Sequence, residues 1–185
     1  MTIDIRPLAI ADVKLVVPTR HSDARGFVVE TWNRAAMRTC GIAMEICQEN
    51  ISKSISVGTV RGLHFQSPPH AQVKLLAVVS GRILDVAVDL RKASPTFGAH
   101  VAIAMDAESG TQIYIPEGFA HGYCTLEPNT VVSYMMSSQY APSHEYGILW
   151  ADPSLNIAWP VSEADAVVTK RDATWPRLAE LQNPF

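Results

Sequence analysis

Apolar and polar residues alternate with a period of two through the middle of the chain, which is the pattern of a half-buried β-strand. Residues 73–90 hold two such runs, one on either side of a short polar break at residues 80–82. Gly81 lies at the centre of this break and tolerates the positive φ that a tight turn requires. The pattern therefore predicts a β-hairpin over residues 73–90, with Gly81 in its turn.

The second of these runs places its residues on two distinct faces. Leu84, Val86 and Val88 fall on one face of the predicted strand. Asp85 and Asp89 fall on the other face. The sequence thus predicts a strand that has one continuous apolar face and carries two carboxylates on the opposite side.

Further strand patterns follow at residues 100–105, 111–115, 120–126 and 130–137. The breaks between them are rich in Gly, Pro, Asn and Asp, which are turn-forming residues. Short strands at a spacing of roughly 8–12 residues, separated by such turns, are typical of antiparallel sandwiches and barrels. We therefore predict an all-β fold, a cupin-type jelly roll (double-stranded β-helix).

Helical patterns are confined to two short peripheral segments. Residues 33–39 form a candidate helix capped by Asn33, and residues 176–181 form another with a proline in its first turn. A length of 185 residues fits one domain over residues 1–185. We expect the jelly-roll core at approximately residues 45–160, with the C-terminal segment 161–185 packing on it.

Composition narrows the class of partner. Hydrophobic residues make up 48% of the chain and charged residues 18%, which excludes a disordered protein. The net charge of −3, without any basic block, argues against a nucleic-acid partner. No apolar run approaches the ~20 residues that span a bilayer, so we expect no membrane partner. We expect a cytoplasmic protein whose three cysteines, Cys40, Cys47 and Cys124, are free thiols.

Polar residues within strand patterns are the candidates for chemistry, because an unpaired polar group is costly in a core. Alternation puts Leu63 and Phe65 on one face of a strand and His64 on the other. If the two apolar residues face the sheet packing, His64 faces a cavity. Three further polar residues occupy comparable positions: Lys74, His121 and Tyr134. Each alone also fits a structural role, but one cavity shared by all four is suited to acid–base chemistry.

Two other kinds of chemistry fit the sequence less well than acid–base chemistry. His64, His70 and His121 are possible metal ligands, but the chain has no His-x-His pair, and Gln66 occupies the position two after His64. The pattern therefore favours a site without metal. Nucleophilic hydrolysis is also disfavoured, because no Gly-x-Ser-x-Gly motif is present.

A series of short motifs runs through almost the whole chain in order. They are AspAlaArgGlyPhe (23–27), GlnGluAsn (48–50), ArgGlyLeuHisPheGln (61–66), AlaGlnValLysLeu (71–75), SerProThrPheGly (94–98), IleProGluGlyPheAlaHisGly (115–122), TyrAlaProSerHisGlu (140–145), IleAlaTrpPro (157–160) and ThrLysArgAsp (169–172). This series resembles the dTDP-4-dehydrorhamnose 3,5-epimerase family of nucleotide-sugar enzymes. Gln139 and Val28 depart from it, because many members have aromatic residues there.

The resemblance implies a cupin-like homodimer that uses no metal and no organic cofactor. It implies that His64 is the catalytic base, with Asp172 as its carboxylate partner. Tyr134 corresponds to the general acid, and Lys74 to the cation beside the 4-keto oxygen of the substrate. Nine further positions correspond to residues that bind the nucleotide or sugar: Arg25, Phe27, Glu30, Gln48, Asn50, Arg61, His121, Tyr140 and Glu145.

The activity that the resemblance implies is inversion at C3 and C5 of a dTDP-4-keto-6-deoxyhexose, which converts dTDP-4-dehydro-6-deoxyglucose into dTDP-4-dehydrorhamnose. Three alternatives remain open at this point. In the first alternative, the chain is a single-centre epimerase that inverts either C3 or C5 of another nucleotide-linked 4-keto sugar. Which carbon is inverted depends on which C–H bond lies within reach of His64. The chain can also be a metal-dependent cupin, which metal analysis would reveal, or a sugar-binding jelly roll without catalysis.

Overall fold

The computed structural model describes residues 3–185, and most of its regular structure is antiparallel β-sheet. In chain order the strands are β1 (Ile3–Pro7), β2 (Lys14–Pro18), β3 (Arg20–Asp23), β4 (Gly26–Val29), β5 (Gln48–Ser54), β6 (Val60–Gln66), β7 (Lys74–Ser80), β8 (Arg82–Asp89), β9 (His100–Asp106), β10 (Gln112–Ile115), β11 (Phe119–Thr125), β12 (Thr130–Met136) and β13 (Glu145–Gly147). The helix α1 spans Arg34–Thr39. Single 3-10 turns lie at Pro142–His144, Pro153–Leu155, Asp172–Thr174 and Leu178–Glu180.

Two sheets face each other and form the jelly roll. The six-stranded sheet has the order β1-β2-β10-β7-β12-β5, and the five-stranded sheet has the order β13-β6-β11-β8-β9. A separate two-stranded hairpin is formed by β3 and β4. Apart from the consecutive pairs β1–β2 and β8–β9, neighbouring strands of the two sheets are far apart in sequence, as in a double-stranded β-helix. The predicted all-β, cupin-type fold is confirmed.

The core between the sheets uses one face of each strand. Leu76 and Val78 of β7 pack with Ile83 and Ala87 of β8, and Val132 of β12 joins them. All five residues are buried. The period-two alternation of these strands therefore serves to bring two apolar faces together.

The outer face of the five-stranded sheet is covered by the C-terminal part of the chain. Val86 and Val88 of β8 lie in a second cluster with Ile148, Trp150 and Leu155. Partly buried residues of the last segment, including Phe185, pack against the same cluster. Because both faces of β8 are covered, its apolar residues outnumber its polar ones.

The helix α1 covers part of the six-stranded sheet. The Asn33 side chain accepts a hydrogen bond from the Ala36 amide, so the predicted N-cap is confirmed. Met37 is fully buried and packs with Val16 and Leu75 of that sheet. Within residues 3–185, no helix has both the length and the apolar character needed to cross a membrane.

The prediction of a hairpin over residues 73–90 is wrong. Gly81 does adopt a positive φ of 80°, and a Cβ there would lie 2.4 Å from the Thr130 Oγ1 atom. However, β7 pairs with β10 and β12, whereas β8 pairs with β9 and β11. The tight turn therefore carries the chain from one sheet to the facing sheet. Burial of both apolar runs between the layers takes precedence over pairing between neighbours in sequence.

The helix expected at residues 176–181 is reduced to the 3-10 turn Leu178–Glu180. Trp175 precedes a proline and is extended, with ψ of 150°, because the proline ring disfavours the helical region for the preceding residue. The Pro176 carbonyl accepts a hydrogen bond from the Leu149 amide. This contact with a distant segment fixes the chain in an extended conformation.

Candidate active site

A cavity of about 380 Å³ opens between the two sheets. The six-stranded sheet lines it with residues of β5, β7 and β12, and the five-stranded sheet lines it with residues of β6 and β11. Glu145 of β13 and three segments outside the strands, around Gln72, Tyr140 and Arg171, complete the wall. Ten of the predicted site residues line this cavity: Gln48, Asn50, Arg61, His64, Lys74, His121, Tyr134, Tyr140, Glu145 and Asp172.

His64 is held by a buried carboxylate. Its Nε2 atom lies 2.9 Å from Oδ1 of Asp172, which follows the last strand at the start of a 3-10 turn. A carboxylate only accepts, so Nε2 carries the proton of the neutral ring and Nδ1 is left as the basic nitrogen. The Gly62 amide donates to the other Asp172 oxygen at 3.3 Å. The imidazole is therefore fixed in one tautomer.

The Asp172 carboxyl stays ionised despite its position. Burial alone raises its pKa, but the hydrogen bond with His64, together with that from the Gly62 amide, holds the pKa below its ordinary value. Only 2% of the residue is exposed. An ionised carboxylate in this position stabilises the imidazolium that forms when His64 accepts a proton.

Trp175 supports the His64 ring from the side. The two rings meet edge to face with their centroids 6.3 Å apart. Gly147 pairs with His64 across β13 and β6, and a Cβ at Gly147 would lie 2.6 Å from the indole. The glycine thus leaves the space in which Trp175 can reach the imidazole.

Lys74 faces His64 from the opposite sheet. Its Nζ atom donates to the His64 carbonyl at 3.3 Å. Burial lowers the pKa of Lys74 to about 8, while the charges of Asp85 and Glu145 oppose this shift. At neutral pH the side chain is therefore an ammonium that releases its proton more readily than a surface lysine does.

A second histidine–carboxylate pair lies beside the first. His121 of β11 is the cross-strand partner of His64, and its Nε2 atom lies 2.9 Å from Oδ2 of Asp85. His121 is 7% exposed and Asp85 is fully buried. The cavity therefore contains two imidazoles, each oriented by its own carboxylate.

Tyr134 reaches the cavity from β12 of the six-stranded sheet, where it pairs with Asn50 of β5. His64 belongs to the five-stranded sheet. The phenol and the His64 imidazole thus approach the cavity from facing sheets. This arrangement suits a reaction in which a proton leaves one side of a carbon and returns from the other.

Polar contacts join Tyr140, Glu145 and Arg171, which all line the cavity. The Tyr140 hydroxyl donates to Glu145 at 2.6 Å, and Arg171 Nη1 binds the same carboxylate oxygen at 2.7 Å. Gln48 accepts from the Tyr140 amide, and the buried Gln66 accepts from the Ala141 amide. Residues 140–145 are therefore held against the wall of the cavity.

Arg61 extends along the cavity wall with its guanidinium near β5. Its Nε donates to Ser54 Oγ at 3.1 Å, and its Nη2 donates to the Lys53 carbonyl at 3.1 Å. Nearby, the Tyr123 hydroxyl lies 2.7 Å from Ser52 Oγ. These contacts give the wall a cationic group and two hydroxyls.

Three predicted substrate-binding residues do not line the cavity of their own chain. Arg25 pairs with Asp23 at 2.7 Å at the exposed tip of the β3–β4 hairpin. Phe27 is 47% exposed and stacks on the Arg20 guanidinium. Glu30, just after β4, accepts from the Asn33 side chain.

The histidines considered as metal ligands are used in other ways. His64 and His121 each bond to one carboxylate, and His70 packs on His144 with ring centroids 4.5 Å apart. Within residues 3–185, no group of three or more His, Cys, Asp or Glu side chains is arranged to hold a metal ion.

Several residues of the site were not predicted from the sequence. Arg171 lies next to Asp172, lines the cavity and forms an ion pair with Glu145. Asp85 was placed on the polar face of its strand but was not assigned to the site. Its position within an otherwise apolar strand was the available signal, since a buried carboxylate needs a partner.

The fold and the cavity define a class of protein. A jelly roll whose cavity gathers two carboxylate-bound imidazoles, a lysine with a lowered pKa and a tyrosine is a small-molecule enzyme of the proton-transfer type. The family described as dTDP-4-dehydrorhamnose 3,5-epimerase matches residues 7–180. A dTDP-4-dehydrorhamnose 3,5-epimerase from Shigella flexneri is 46% identical over 153 residues, which cover 82% of this chain and 84% of that protein. The chain belongs to the dTDP-4-dehydrorhamnose 3,5-epimerase family.

Solved structures show the same architecture. The dTDP-6-deoxy-D-glucose-3,5-epimerase of Legionella pneumophila, in complex with dTDP-4-keto-L-rhamnose, matches with a TM-score of 0.91 at 36% identity, covering 97% of this chain and 94% of that chain. ChmJ, a 3'-monoepimerase from Streptomyces bikiniensis in complex with dTDP-quinovose, matches with a TM-score of 0.87 at 35% identity, covering 94% and 87%. The fold is therefore shared by epimerases that act at two centres and at one.

Proposed function

We propose that this chain catalyses epimerisation at C3 and C5 of a dTDP-4-keto-6-deoxyhexose, and so acts as an isomerase that converts dTDP-4-dehydro-6-deoxyglucose into dTDP-4-dehydrorhamnose. The observation that carries the proposal is the placement of His64 and Tyr134 on facing sheets of one cavity, with Lys74 beside them. Membership of the family supports the same reaction.

The reaction begins at a carbon next to the ketone. The C–H bonds at C3 and C5 are acidified because the resulting carbanion delocalises onto the 4-keto oxygen. Nδ1 of His64 takes the proton, and the Asp172 carboxylate stabilises the imidazolium that forms. The Lys74 ammonium stabilises the developing enolate oxygen, as donors of an oxyanion hole do.

Inversion requires that the new proton arrive on the opposite face of the enolate. Tyr134 lies on the sheet that faces His64, and its hydroxyl delivers this proton. One base can serve both carbons, because C3 and C5 flank the same ketone. No metal or organic cofactor enters this scheme.

The remaining cavity residues bind the substrate. Arg61 supplies a cation for the diphosphate, since a guanidinium is suited to phosphate oxygens. The amides of Gln48 and Asn50, with His121, donate and accept hydrogen bonds to the sugar and the base. Tyr140 and Glu145 close over the bound nucleotide at the mouth.

The active protein is a homodimer in this proposal. Arg25, Phe27 and Glu30 lie outside the cavity of their own chain, so they reach substrate only by entering the cavity of a second copy. The edge strand β5 supports self-association, because Ile51 on it and Ile55 just beyond it are 70% and 73% exposed. The partners are the nucleotide-sugar substrate and a second copy, without nucleic acid or membrane.

Two further expectations complete the proposal. Residues 1–185 act as one domain, with residues 161–185 packing on the jelly-roll core, which the contacts of Phe185 support. The location is cytoplasmic, which the free cysteines among the described residues support, since a reducing compartment preserves thiols.

A product analysis tests the reaction. Purified protein is incubated with dTDP-4-keto-6-deoxyglucose, and the configuration of the sugar is followed by proton NMR. Appearance of dTDP-4-dehydrorhamnose supports two-centre epimerisation. An unchanged sugar, with folded protein, contradicts the proposal.

A single-centre epimerase is the second candidate, and the likeness to the 3'-monoepimerase favours it. The same machinery then inverts only the carbon that lies nearest His64. A product inverted at C3 alone in the NMR analysis would establish this candidate in place of the first.

A further inference from the structure

Asp85 is a buried carboxylate for which the proposed proton transfers provide no role. The residue is fully buried on β8, and its Oδ2 atom lies 2.9 Å from His121 Nε2. Its Oδ1 atom is buried and has no hydrogen-bond partner among residues 3–185. Burying a carboxylate with one oxygen unsatisfied is costly unless a nearby positive charge compensates.

Lys74 is a partly buried cation close to this pair. Its Nζ atom donates to the His64 carbonyl, and His64 is the cross-strand partner of the His121 to which Asp85 bonds. The charge of Asp85 is the largest of the effects that raise the pKa of Lys74, and it opposes the lowering by burial. The charge of Glu145 adds a smaller effect of the same sign. Lys74 thus keeps its proton at neutral pH partly because Asp85 is ionised.

Other ionisable groups line the same cavity on both sheets. Those facing it are Arg61 and His64 on β6, His121 and Tyr123 on β11, Tyr134 on β12, Glu145 on β13, and Asp172 and Arg171 in the segment after residue 168. Asp172 bonds to His64, and Glu145 bonds to both Tyr140 and Arg171. These two carboxylates therefore already have partners of their own. Asp85 bonds to His121, and its charge acts on Lys74 more strongly than that of Glu145.

We propose that Asp85 is a positioning residue of the active site: it fixes the His121 ring through one oxygen and supplies a counter-charge for the partly buried Lys74 ammonium. For the reaction, this inference rests on the proposed function, in which Lys74 stabilises the enolate oxygen. The interaction with Lys74 itself does not depend on which sugar the protein accepts.

The variant Asp85→Asn separates the two roles. Its amide oxygen still accepts from His121, but the negative charge is lost. In the pH profile of kcat/KM, we expect the alkaline limb to move to lower pH by about one unit, because Lys74 loses its proton more easily. A purely structural role for Asp85 would lower activity or stability at all pH values and leave the limb in place.

Asp89→Asn is the matched control. Asp89 lies on the same strand and is equally buried, but it bonds to Arg91, Ser94 and Thr96 away from the cavity. We expect this variant to be less stable and to keep the alkaline limb of the parent protein. An equal shift in both variants would overturn the proposal.

A measurement on the free protein distinguishes failure of this inference from failure of the proposed function. The titration of Lys74 is followed by NMR of the lysine side chain, without substrate. We expect a midpoint near pH 8 in the parent protein and about one unit lower in Asp85→Asn. An unchanged midpoint overturns the inference, whereas a shifted midpoint in a protein without epimerase activity supports it and rejects the function.

If Asp85→Asn fails to fold, Asp85→Glu provides the test. This variant keeps the charge and moves the carboxylate relative to His121. We expect the Lys74 midpoint to stay near that of the parent protein while KM rises. If the Lys74 midpoint in Asp85→Glu falls as far as loss of the negative charge would lower it, the counter-charge role is contradicted.

Discussion

At the scale of single residues, proton transfer in the proposed reaction is divided between His64 and Tyr134. The two side chains belong to facing sheets and share one cavity. Removal of a proton and its return from the other face are therefore separate steps with separate residues. A substitution that affects only one step can distinguish them.

We predict that Tyr134→Phe retains exchange of the C3 and C5 hydrogens better than it retains inversion. The base is intact in this variant, but the donor on the opposite face is gone. Exchange is measured by deuterium uptake, and inversion by the configuration of the product. Tyr114→Phe, on β10 outside the cavity, serves as a control and keeps both rates. Equal loss of exchange and inversion in Tyr134→Phe would contradict this division.

The sequence identifies individual cavity residues where a polar side chain interrupts an apolar strand. His64, Lys74 and Tyr134 follow this rule, and all three line the cavity. Asp85 and Asp89 also follow it and share one face of β8, yet Asp85 contacts His121 while Asp89 binds Arg91. Strand periodicity gives the face but not the partner, because the partners come from distant segments.

At the scale of elements, Asp89 organises the loop between β8 and β9. Both of its oxygens are used, by the Arg91 guanidinium and by the hydroxyls of Ser94 and Thr96. Burial alone raises the pKa of this carboxyl, but these hydrogen bonds hold it well below the ordinary value. The loop is therefore stabilised by an ionised, fully buried carboxylate.

We predict that this contribution depends on pH. Because the pKa is lower in the folded state, the stabilisation is complete above the unfolded value of about 4 and is lost as the pH falls through the folded value. Asp89→Asn should cost about 2 kcal/mol of the free energy of unfolding near pH 7. In urea unfolding, the difference in the free energy of unfolding between Asp89→Asn and the parent protein should become smaller as the pH is lowered towards about 3. A difference that stays constant with pH would reject the ionised carboxylate.

Pairing between elements was the part of the fold that the sequence could not provide. The alternation locates the central strands to within a residue or two, and Gly81 correctly marks a tight turn with positive φ. The same turn serves a hairpin or a crossing between sheets. Which of the two forms depends on where the apolar runs of β7 and β8 are buried. Both runs pack against residues of distant strands, such as Val132 of β12 and Ile113 of β10.

At the scale of the whole molecule, the contacts within one chain do not explain the position of the β3–β4 hairpin. Arg25 at its tip is paired with Asp23 and does not line the cavity. In the proposed homodimer this hairpin enters the cavity of the second copy. The cavity is then built from two chains.

Mixed dimers test this arrangement. Dimers of one His64→Ala chain and one Arg25→Ala chain are isolated with two different affinity tags. If Arg25 acts in the partner's cavity, one cavity carries both changes and the other carries none, so about half of the wild-type activity per dimer is restored. If Arg25 acts in its own cavity, both cavities are defective, and activity stays at the level of the parent variants.

The central claim is that His64 removes protons from both C3 and C5. The most direct measurement is deuterium uptake from D₂O into dTDP-4-keto-6-deoxyglucose, resolved by carbon with NMR and mass spectrometry. We predict label at both carbons with the wild-type protein, and a loss of about 10²–10⁴-fold at both carbons in His64→Ala with substrate binding nearly intact. His100→Ala, on β9 away from the cavity, controls for loss of a histidine. Uptake at a near-normal rate in His64→Ala, or no label with the folded wild-type protein, would contradict the account.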